Sequence, residues 1–198
     1  MPVPDRTSLI LTLKRVAYVL TQAEVPFALA GGMAVYARGG TSSDHDVDFL
    51  IRESDAATAL GALADAGFRT ERPPEGWLVK VYDDDRLVDL IYRPVERPVT
   101  DETLADTELL PVNAIRVPVL SATELMAHTM LTFSQHYCDF AKALPTARSL
   151  REQIDWRRVR RETAPSPYAH AFLVLLDLLG VVSLADTTDD VATLRRNA

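Results

Sequence analysis

The spacing of the apolar residues changes near Ser121, and this change constrains the fold more than any other feature. Before it, segments with apolar side chains three and four residues apart, such as Thr7 to Gln22, alternate with β-branched and aromatic runs such as Val47 to Ile51. After it, the apolar patterns are helical. We therefore predict an α/β (α+β) fold, with a mixed-sheet core over residues 1–120 and a C-terminal α-helical domain over residues 121–198.

Turn and capping residues predict the order of elements in more detail. A strand over Phe27 to Ala30 leads through Gly31 and Gly32 into a helix over Met33 to Arg38. Ser54 is expected to cap a helix that ends at Gly67. We also predict an edge strand over Phe68 to Glu71 and a hairpin of Trp77 to Tyr82 and Leu87 to Tyr92, with a solvated turn at Asp83 to Asp85. The sheet is expected to end at Pro94 to Pro98, with one more strand over Asn113 to Leu120. Four helices are predicted after it, over Ala122 to His136, Phe140 to Gln153, Asp155 to Glu162 and Tyr168 to Leu179.

Composition excludes several classes of protein. Apolar residues make up 47% and charged residues 25%, as in ordinary globular chains. The single cysteine, Cys138, cannot form an intramolecular disulfide or a cysteine-rich zinc site, so we expect it to be packed inside a protein of the reducing cytoplasm. The N-terminus lacks the features of a signal peptide, and the longest apolar stretch, Ala169 to Val182, carries His170 and Asp177, so we expect no membrane span.

The net charge of -7 argues against broad, non-specific nucleic-acid binding. Six arginines nevertheless fall between residues 148 and 161. They form either the exposed face of an amphipathic helix pair or a contact to the phosphates of a nucleotide or RNA, and the sequence leaves both interpretations open. His128, His136 and His170 have no second ligand at metal spacing, so we interpret them as packing or surface residues. His45 would point to the opposite face from Asp46 if the strand has begun there, so we interpret it as structural.

Three aspartates form the main candidate site. Asp46 and Asp48 are two residues apart at the start of a strand, so their side chains point to the same face, where mutual repulsion favours a bound cation. Asp89 lies in an otherwise apolar strand, where an unpaired carboxylate is costly. If the two strands are neighbours, the three carboxylates can hold two Mg²⁺ ions, or Mn²⁺ in their place, about 4 Å apart. The alternatives are a solvated loop end for Asp46 and Asp48, and a structural pair of Asp89 with Arg38 or Arg93.

The glycine pair that precedes these aspartates adds to the signal. Gly31 and Gly32 allow close approach of the backbone to a phosphate, and the start of the following helix offers free N–H groups. A glycine pair by itself is weak evidence. Together with the paired aspartates and the downstream Asp89, it makes a specific pattern.

The segments AGGMAVYARGGTSSDHDVDFLI and RLVDLIYR resemble the polymerase-beta-type nucleotidyltransferase superfamily over roughly residues 25 to 160. Within it, the chain is most similar to small bacterial abortive-infection and MenT toxin-type enzymes, with lincosamide nucleotidyltransferases as more distant relatives. The resemblance implies that Asp46 and Asp48 ligate both metal ions, that Asp89 ligates one and helps to deprotonate the attacking hydroxyl, and that Gly31 and Gly32 contact the triphosphate.

The chain departs from the family pattern at three places. Gly32 replaces a frequent serine, Thr129 lies near an expected lysine, and Cys138-Asp139 lies near an expected Lys-Asp pair. Lys80, on the strand predicted to pair with that of Asp89, is a candidate for the missing positive charge. The predicted nucleotide-binding residues are Gly31, Gly32, Arg38, Ser43 and Lys80.

The resemblance implies transfer of a nucleoside monophosphate from a nucleoside triphosphate to a hydroxyl of an acceptor. The acceptor is tRNA or another RNA, a protein, or an antibiotic-like small molecule. We expect an enzyme, of toxin type within this family, with an antitoxin protein as a further partner. The alternative is a non-catalytic nucleotide-binding module of a toxin–antitoxin pair.

Overall fold

The structure, a computed structural model, describes residues 6–41 and 46–187, and the chain divides after Ser121 into two compact units. The first unit contains a seven-stranded mixed sheet, which confirms the α/β prediction. Its strands are β1 (Ala28–Ala30), β2 (Asp46–Leu50), β3 (Arg69–Glu71), β4 (Leu78–Asp83), β5 (Arg86–Ile91), β6 (Thr107–Val112) and β7 (Ile115–Leu120). Its helices are α1 (Arg6–Gln22), α2 (Gly31–Ala37), α3 (Ala56–Asp65) and α4 (Asp101–Ala105).

The strand order is β3-β4-β5-β2-β1-β7-β6. β2 pairs in parallel with β5, and β1 with β7, while the other neighbours are antiparallel. Alternate residues of the central strands, among them Val47, Phe49 and Val88, are completely buried. Helices α1 and α3 contact each other, and α1 contacts β2 and β5 while α3 contacts β3 and β4, so these two helices cover one face of that half of the sheet. Burial of these apolar side chains fixes the register of the strands, because a slip of one residue would turn every side chain to the opposite face.

The prediction that the sheet ends at Pro94 to Pro98 was wrong. The chain returns to the sheet as the β6–β7 hairpin, in which β7 is the additional strand predicted over Asn113 to Leu120, whereas β6 and the short helix α4 were missed. Strand β6 contains Pro111, which cannot donate a ladder hydrogen bond, and such a strand is tolerated only at a sheet edge. The proline therefore weakened the strand pattern of this segment in the sequence.

Two further local predictions differ from the structure. Ser54 does not cap α3: it lies inside a 3₁₀ turn, Glu53–Asp55, and Asp55 precedes the helix without a capping side-chain bond. The helix does end before Gly67, whose φ of +88° is the left-handed conformation that glycine adopts readily. Strand β3 lies at the sheet edge, as predicted.

The predicted solvated turn at Asp83 to Asp85 was wrong for its first residue. Asp84 and Asp85 are exposed, but Asp83 is buried at the end of β4. Thr12 of α1 donates a hydrogen bond of 2.5 Å to Asp83 Oδ2, Arg15 pairs with Oδ1, and Arg86 Nη2 lies 3.0 Å from Oδ2. These contacts fasten α1 to the β4–β5 hairpin.

The second unit is helical. Its helices are α5 (Ala122–Leu131), α6 (Phe140–Ser149), α7 (Trp156–Glu162) and α8 (Pro167–Leu178). Helix α5 ends before the predicted His136, because the chain turns tightly between Ser134 and Tyr137, and α6 ends before the predicted Gln153. The rings of Phe133, Phe140 and Phe172 pack together with centroids 5.0 to 5.4 Å apart. Cys138 was predicted to be buried but is exposed in the turn-containing segment between α5 and α6.

The arginine-rich stretch is partly structural. Arg158 pairs with Glu124 and Glu162, and Arg160 Nη1 donates to the Leu184 carbonyl at 3.3 Å. Arg148, Arg151, Arg157 and Arg161 are exposed. Arg158 therefore has a structural role that neither interpretation described, and for the four exposed arginines both interpretations stay predictions. Across the described ranges, every helix is too short or too polar to cross a bilayer.

Candidate active site

The candidate site is built on a row of residues that crosses four neighbouring strands. Asp48 of β2 lies opposite Ala30 of β1 on one side and opposite Asp89 of β5 on the other. Lys80 of β4 lies opposite Asp89. Directly paired residues of a sheet project to the same face, so the two carboxylates and the ammonium group share one surface. Asp46 precedes Asp48 by two residues and joins them on that face.

The three predicted aspartates lie together. One carboxylate oxygen from each of Asp46, Asp48 and Asp89 lies within 4.8 Å of the other two. Asp46 and Asp48 are partly buried, and Asp89 is buried. The parallel pairing of β2 with β5 explains the convergence, because residues 41 positions apart in the chain are thereby brought side by side.

The electrostatics of the cluster disfavour the charged form of two of its carboxyls. Burial, followed by the charges of Asp46 and Asp89, raises the pKa of Asp48 to about 7, and Lys80 opposes this only in part. Burial also raises the pKa of Asp89, although the charge and hydrogen bond of Lys80 act against it. Among the described residues, Lys80 is the basic group that acts on the buried Asp48 and Asp89 carboxyls of this cluster.

Lys80 is the partner of Asp89. Its Nζ lies 3.3 Å from Asp89 Oδ1. The structural alternatives named from the sequence do not apply, because Arg93 pairs with Glu53 at 3.1 Å and Arg38 Nη1 lies 3.3 Å from Glu108. The side chain of Lys80 therefore faces the cluster, which is the condition for supplying positive charge there.

Gly31 is placed against Asp48. Its φ is +57°, and a Cβ added to it would lie 1.8 Å from Asp48 Oδ2. No side chain fits there unless the carboxylate moves. The sequence suggested that Gly31 leaves room for a phosphate, and the structure adds that it leaves room for the buried carboxylate. Gly32 follows in the first turn of α2.

The other predicted nucleotide-binding residues differ in their placement. Arg38, at the end of α2, has a side chain only 5% exposed, and its Nε donates to the Leu120 carbonyl at 2.7 Å. It holds α2 to β7 in this structure. Ser43 lies outside the described residues. Thr129, near the expected family lysine, donates its hydroxyl to the Leu125 carbonyl at 2.8 Å within α5.

Sequence reasoning missed the polar residues that continue this face toward the sheet edge. Tyr82 is two residues beyond Lys80 on β4, and Glu71 of β3 lies opposite Lys80. Arg69 of β3 lies opposite Tyr82. The two-residue spacing from Lys80 to Tyr82 was visible in the sequence, but the pairing of β3 with β4 was needed to bring the four residues together.

Comparison with known proteins identifies the family. A family model described as "Uncharacterised nucleotidyltransferase" matches residues 4–182. The chain belongs to this family of nucleotidyltransferases. The superfamily resemblance and the prediction of an enzyme are thereby confirmed, while the particular closeness to MenT and abortive-infection enzymes stays a prediction. No curated protein sequence matches this nucleotidyltransferase significantly.

Solved structures share the fold of this nucleotidyltransferase. ANT(2")-Ia in complex with adenylyl-2"-tobramycin has a TM-score of 0.56 and 13% identity, over 85% of this chain and 98% of that chain. An antigenic nucleotidyltransferase-like protein from Paracoccidioides brasiliensis has a TM-score of 0.55 and 16% identity, over 89% of this chain and 90% of that one. The solution structure of the antibiotic-resistance factor ANT(2")-Ia has a TM-score of 0.52 and 14% identity, over 97% of both chains. At such low identity, the likeness shows the fold alone.

Proposed function

We propose that this nucleotidyltransferase transfers a nucleoside monophosphate from a nucleoside triphosphate to a hydroxyl group of an acceptor, and that the reaction depends on a divalent metal ion, Mg²⁺ by preference. The convergence of Asp46, Asp48 and Asp89 carries the proposal, because their oxygens approach within 4.8 Å on one surface. A fold does not specify a function by itself, so the chemistry of this cluster is what supports the assignment.

The cluster fits a hard divalent cation. All three donors are carboxylate oxygens, which Mg²⁺ prefers, and burial together with the charges of Asp46 and Asp89 raises the pKa of Asp48, a cost that a bound cation would relieve. Asp46 and Asp48 would hold two ions, and Asp89 would hold one of them. When bound, the metal would supply positive charge that stabilises the transferred phosphoryl group.

The chain's own residues take the following parts in the proposed reaction. The backbone at Gly31 and Gly32 binds the triphosphate, and the acceptor hydroxyl lies beside Asp89. The hydroxyl oxygen forms a bond to the α-phosphorus while the bond from that phosphorus to the oxygen bridging to the β-phosphate breaks, and pyrophosphate leaves with that oxygen. Asp89 accepts the hydroxyl proton, and the rise in its pKa improves its capacity to do so.

The identity of the acceptor is the open part of this proposal. The candidates are RNA, a protein hydroxyl and a small molecule, such as the aminoglycoside in the complex of ANT(2")-Ia. That likeness extends to the fold alone, so it does not select among them. The toxin role, the antitoxin partner and the cytoplasmic location stay predictions from the sequence.

The test is transfer of label from α-³²P nucleoside triphosphates in the presence of Mg²⁺. Pools of tRNA, protein and aminoglycoside or lincosamide acceptors are tried separately, and pyrophosphate release is followed in each. We expect Asp48→Ala to reduce transfer by about a hundredfold to a thousandfold, the range found when one catalytic electrostatic contact is lost. Binding of Mn²⁺, measured by electron paramagnetic resonance, should weaken in parallel.

Asp85→Ala is the matched control, since Asp85 is an exposed aspartate of the nearby hairpin turn. It should leave transfer and Mn²⁺ binding unchanged. Transfer that survives Asp48→Ala would refute the site. A wild-type chain that binds nucleotide but labels none of the acceptors would favour the non-catalytic alternative.

A further inference from the structure

The carboxylate face continues beyond Asp89 to a small platform on the outer strands. We call Arg69, Glu71 and Tyr82 the β3–β4 platform. The Arg69 guanidinium carbon lies 3.6 Å from the centroid of the Tyr82 ring, so the two planar groups are in contact. The Tyr82 hydroxyl donates to Glu71 Oε2 at 3.3 Å, and Arg69 Nη1 lies 3.5 Å from the same oxygen. The three side chains therefore hold one another in place.

The register places this platform on the same surface as the proposed catalytic residues. Glu71 is opposite Lys80, and Lys80 is opposite Asp89, so these three lie in one row across β3, β4 and β5. Arg69 and Tyr82 lie in the adjacent row on the same face, two residues along each strand. Strands are about 4.8 Å apart, so Tyr82 on β4 lies one spacing from the Asp89 strand, and Arg69 and Glu71 on β3 lie roughly 10 Å from it. That separation is comparable to the span of a nucleoside.

The direction of the proposed reaction selects this side for the acceptor. In an in-line displacement, the attacking oxygen and the leaving pyrophosphate lie on opposite sides of the α-phosphorus. The proposed triphosphate contact, Gly31, lies next to Asp48, while Asp89 is one strand further along the row. An acceptor whose hydroxyl reaches Asp89 from the side away from Gly31 would extend over β4 and β3.

The chemistry of the platform indicates what it recognises. The Arg69 side chain is 63% exposed, so the outer surface of its guanidinium plane is open to solvent. Planar guanidinium groups and aromatic rings stack on nucleobases, and the carboxylate of Glu71 can accept hydrogen bonds from a base amino group. Lys80, between the platform and Asp89, places a positive charge where a phosphate or ribose oxygen of such an acceptor would pass.

We propose that the β3–β4 platform is the acceptor subsite and that it binds a nucleoside unit, either free or at the end of a polynucleotide chain, by stacking its base on the Arg69 guanidinium that Tyr82 holds in place. This inference rests on the proposed function, since it takes Asp89 as the group beside the attacking hydroxyl. The net charge of -7 favours recognition of one terminal unit over a long nucleic-acid track.

The experiment uses the full chain with its triphosphate site filled by Mg²⁺ and a non-hydrolysable triphosphate analogue. Adenosine and a short oligoadenylate with a free 3′ end are the probes, and calorimetry measures their binding. Arg69→Lys keeps the charge but removes the plane, and Tyr82→Ala removes the ring. Each should weaken probe binding about tenfold, the order expected for loss of one stacking contact. Binding of the analogue itself should not change.

Two matched variants test whether a loss of probe binding comes from lost stacking or from a change in folding or charge. Tyr82→Phe keeps the ring and should keep most of the affinity for the probes. Arg72→Ala removes an exposed arginine just beyond β3 and should have no effect. Tighter binding of the oligoadenylate than of adenosine would identify a polynucleotide end as the acceptor, and equal binding would identify a free nucleoside.

Other results would overturn the inference. If the wild-type chain binds the analogue and releases pyrophosphate but binds neither probe, the acceptor subsite is wrong while the proposed function stands. If Arg69→Lys and Tyr82→Ala weaken binding of the analogue and leave binding of the probes unchanged, the platform binds the base of the triphosphate and not the acceptor. If the wild-type chain binds neither Mg²⁺ nor the analogue, the proposed function fails first.

Discussion

Two aspartates of the sheet unit, the buried Asp83 and the partly buried Asp48, differ in how neighbouring residues compensate their charge. Asp83 is surrounded by Thr12, Arg15 and Arg86. Burial by itself raises the pKa of Asp83, but the hydrogen bonds from Thr12 and Arg86 and the charges of both arginines outweigh it, and the pKa lies below 3.8. Asp48 lies between two other acids, and its pKa rises to about 7.

The difference separates a structural carboxylate from a functional one. A buried carboxylate that serves the fold is neutralised by neighbours within the chain, because an uncompensated charge costs several kcal/mol. Burial and the charges of Asp46 and Asp89 raise the pKa of Asp48, Lys80 opposes this only in part, and a bound cation would relieve the cost. Asp48 therefore favours a bound cation, whereas the neighbours of Asp83 already compensate its charge.

The largest effect on stability should come from removing the compensated acid. Asp83→Ala leaves Arg86 and the Thr12 hydroxyl without their shared acceptor, and we expect the free energy of unfolding to fall by about 3 kcal/mol. This is the lower end of the range for breaking a buried pair, because Arg15 is half exposed and regains water. Urea unfolding at pH 7 measures the change.

The pH dependence of this variant follows from the lowered pKa. A carboxyl with a lower pKa in the folded state stabilises the protein above its unfolded value of 3.8 and loses that contribution as pH falls through the folded pKa. The difference between the wild type and Asp83→Ala should therefore be constant from pH 5 to 8 and shrink below pH 4. Asp84→Ala, at an exposed turn position, should be close to neutral. A difference that stays unchanged into acid would mean that packing, rather than charge, holds the hairpin.

The second prediction concerns the glycine that accommodates Asp48. Gly31→Ala places a Cβ where Asp48 Oδ2 now lies and strains a φ of +57°, so we expect a loss of about 2 to 3 kcal/mol together with loss of transfer activity. Gly39→Ala is the matched control, since φ is +90° there but no atom lies within 4 Å of the added Cβ. It should cost about 1 kcal/mol and leave activity intact.

A double-mutant cycle separates the clash from the backbone strain. In an Asp48→Ala background the carboxylate is gone, so Gly31→Ala should cost about as much as Gly39→Ala. If Gly31→Ala is equally harmful in both backgrounds, Asp48 is not the reason for the glycine.

The sequence predicted the fold class and the local features of the candidate site, but not the long-range pairings around them. The two-residue spacing of Asp46 and Asp48 is a local feature that places both on one face, whereas the parallel pairing of β2 with β5 was needed to bring Asp89 beside them. The contacts of Asp83 join residues about 70 positions apart, so no local pattern could show that one of three consecutive aspartates is buried. Strand β6 was missed because Pro111 contradicts the usual strand pattern, and only its position at the sheet edge makes the proline acceptable. The glycine pattern was recognised, but its steric relation to Asp48 required the register of β1 with β2.

The smallest expected effect tests the contrast between Asp48 and Asp83 most sharply, because it should be a gain in stability. Asp48→Asn removes the charge that burial, Asp46 and Asp89 disfavour, so without metal the free energy of unfolding at pH 8 should rise by about 1 to 2 kcal/mol. A carboxyl whose pKa is raised from 3.8 to about 7 on folding costs progressively more stability as pH rises between those values. The advantage of the variant should therefore be absent at pH 4, grow through pH 7 and level off above it.

In the presence of Mg²⁺, the wild type should be more stable than Asp48→Asn, which is the reverse of their order without metal. The proposed site stabilises the wild type by about 2.7 kcal/mol at a hundred times the dissociation constant, whereas Asp48→Asn lacks one ligand and should gain much less. Thermal unfolding in chelator and in Mg²⁺, with Asp85→Asn as the exposed control, measures both effects. A variant that is less stable than the wild type in chelator at every pH would mean that the Asp48 carboxylate is held by the fold, as Asp83 is. The contrast between the two acids, and with it the electrostatic argument for a metal, would then be lost.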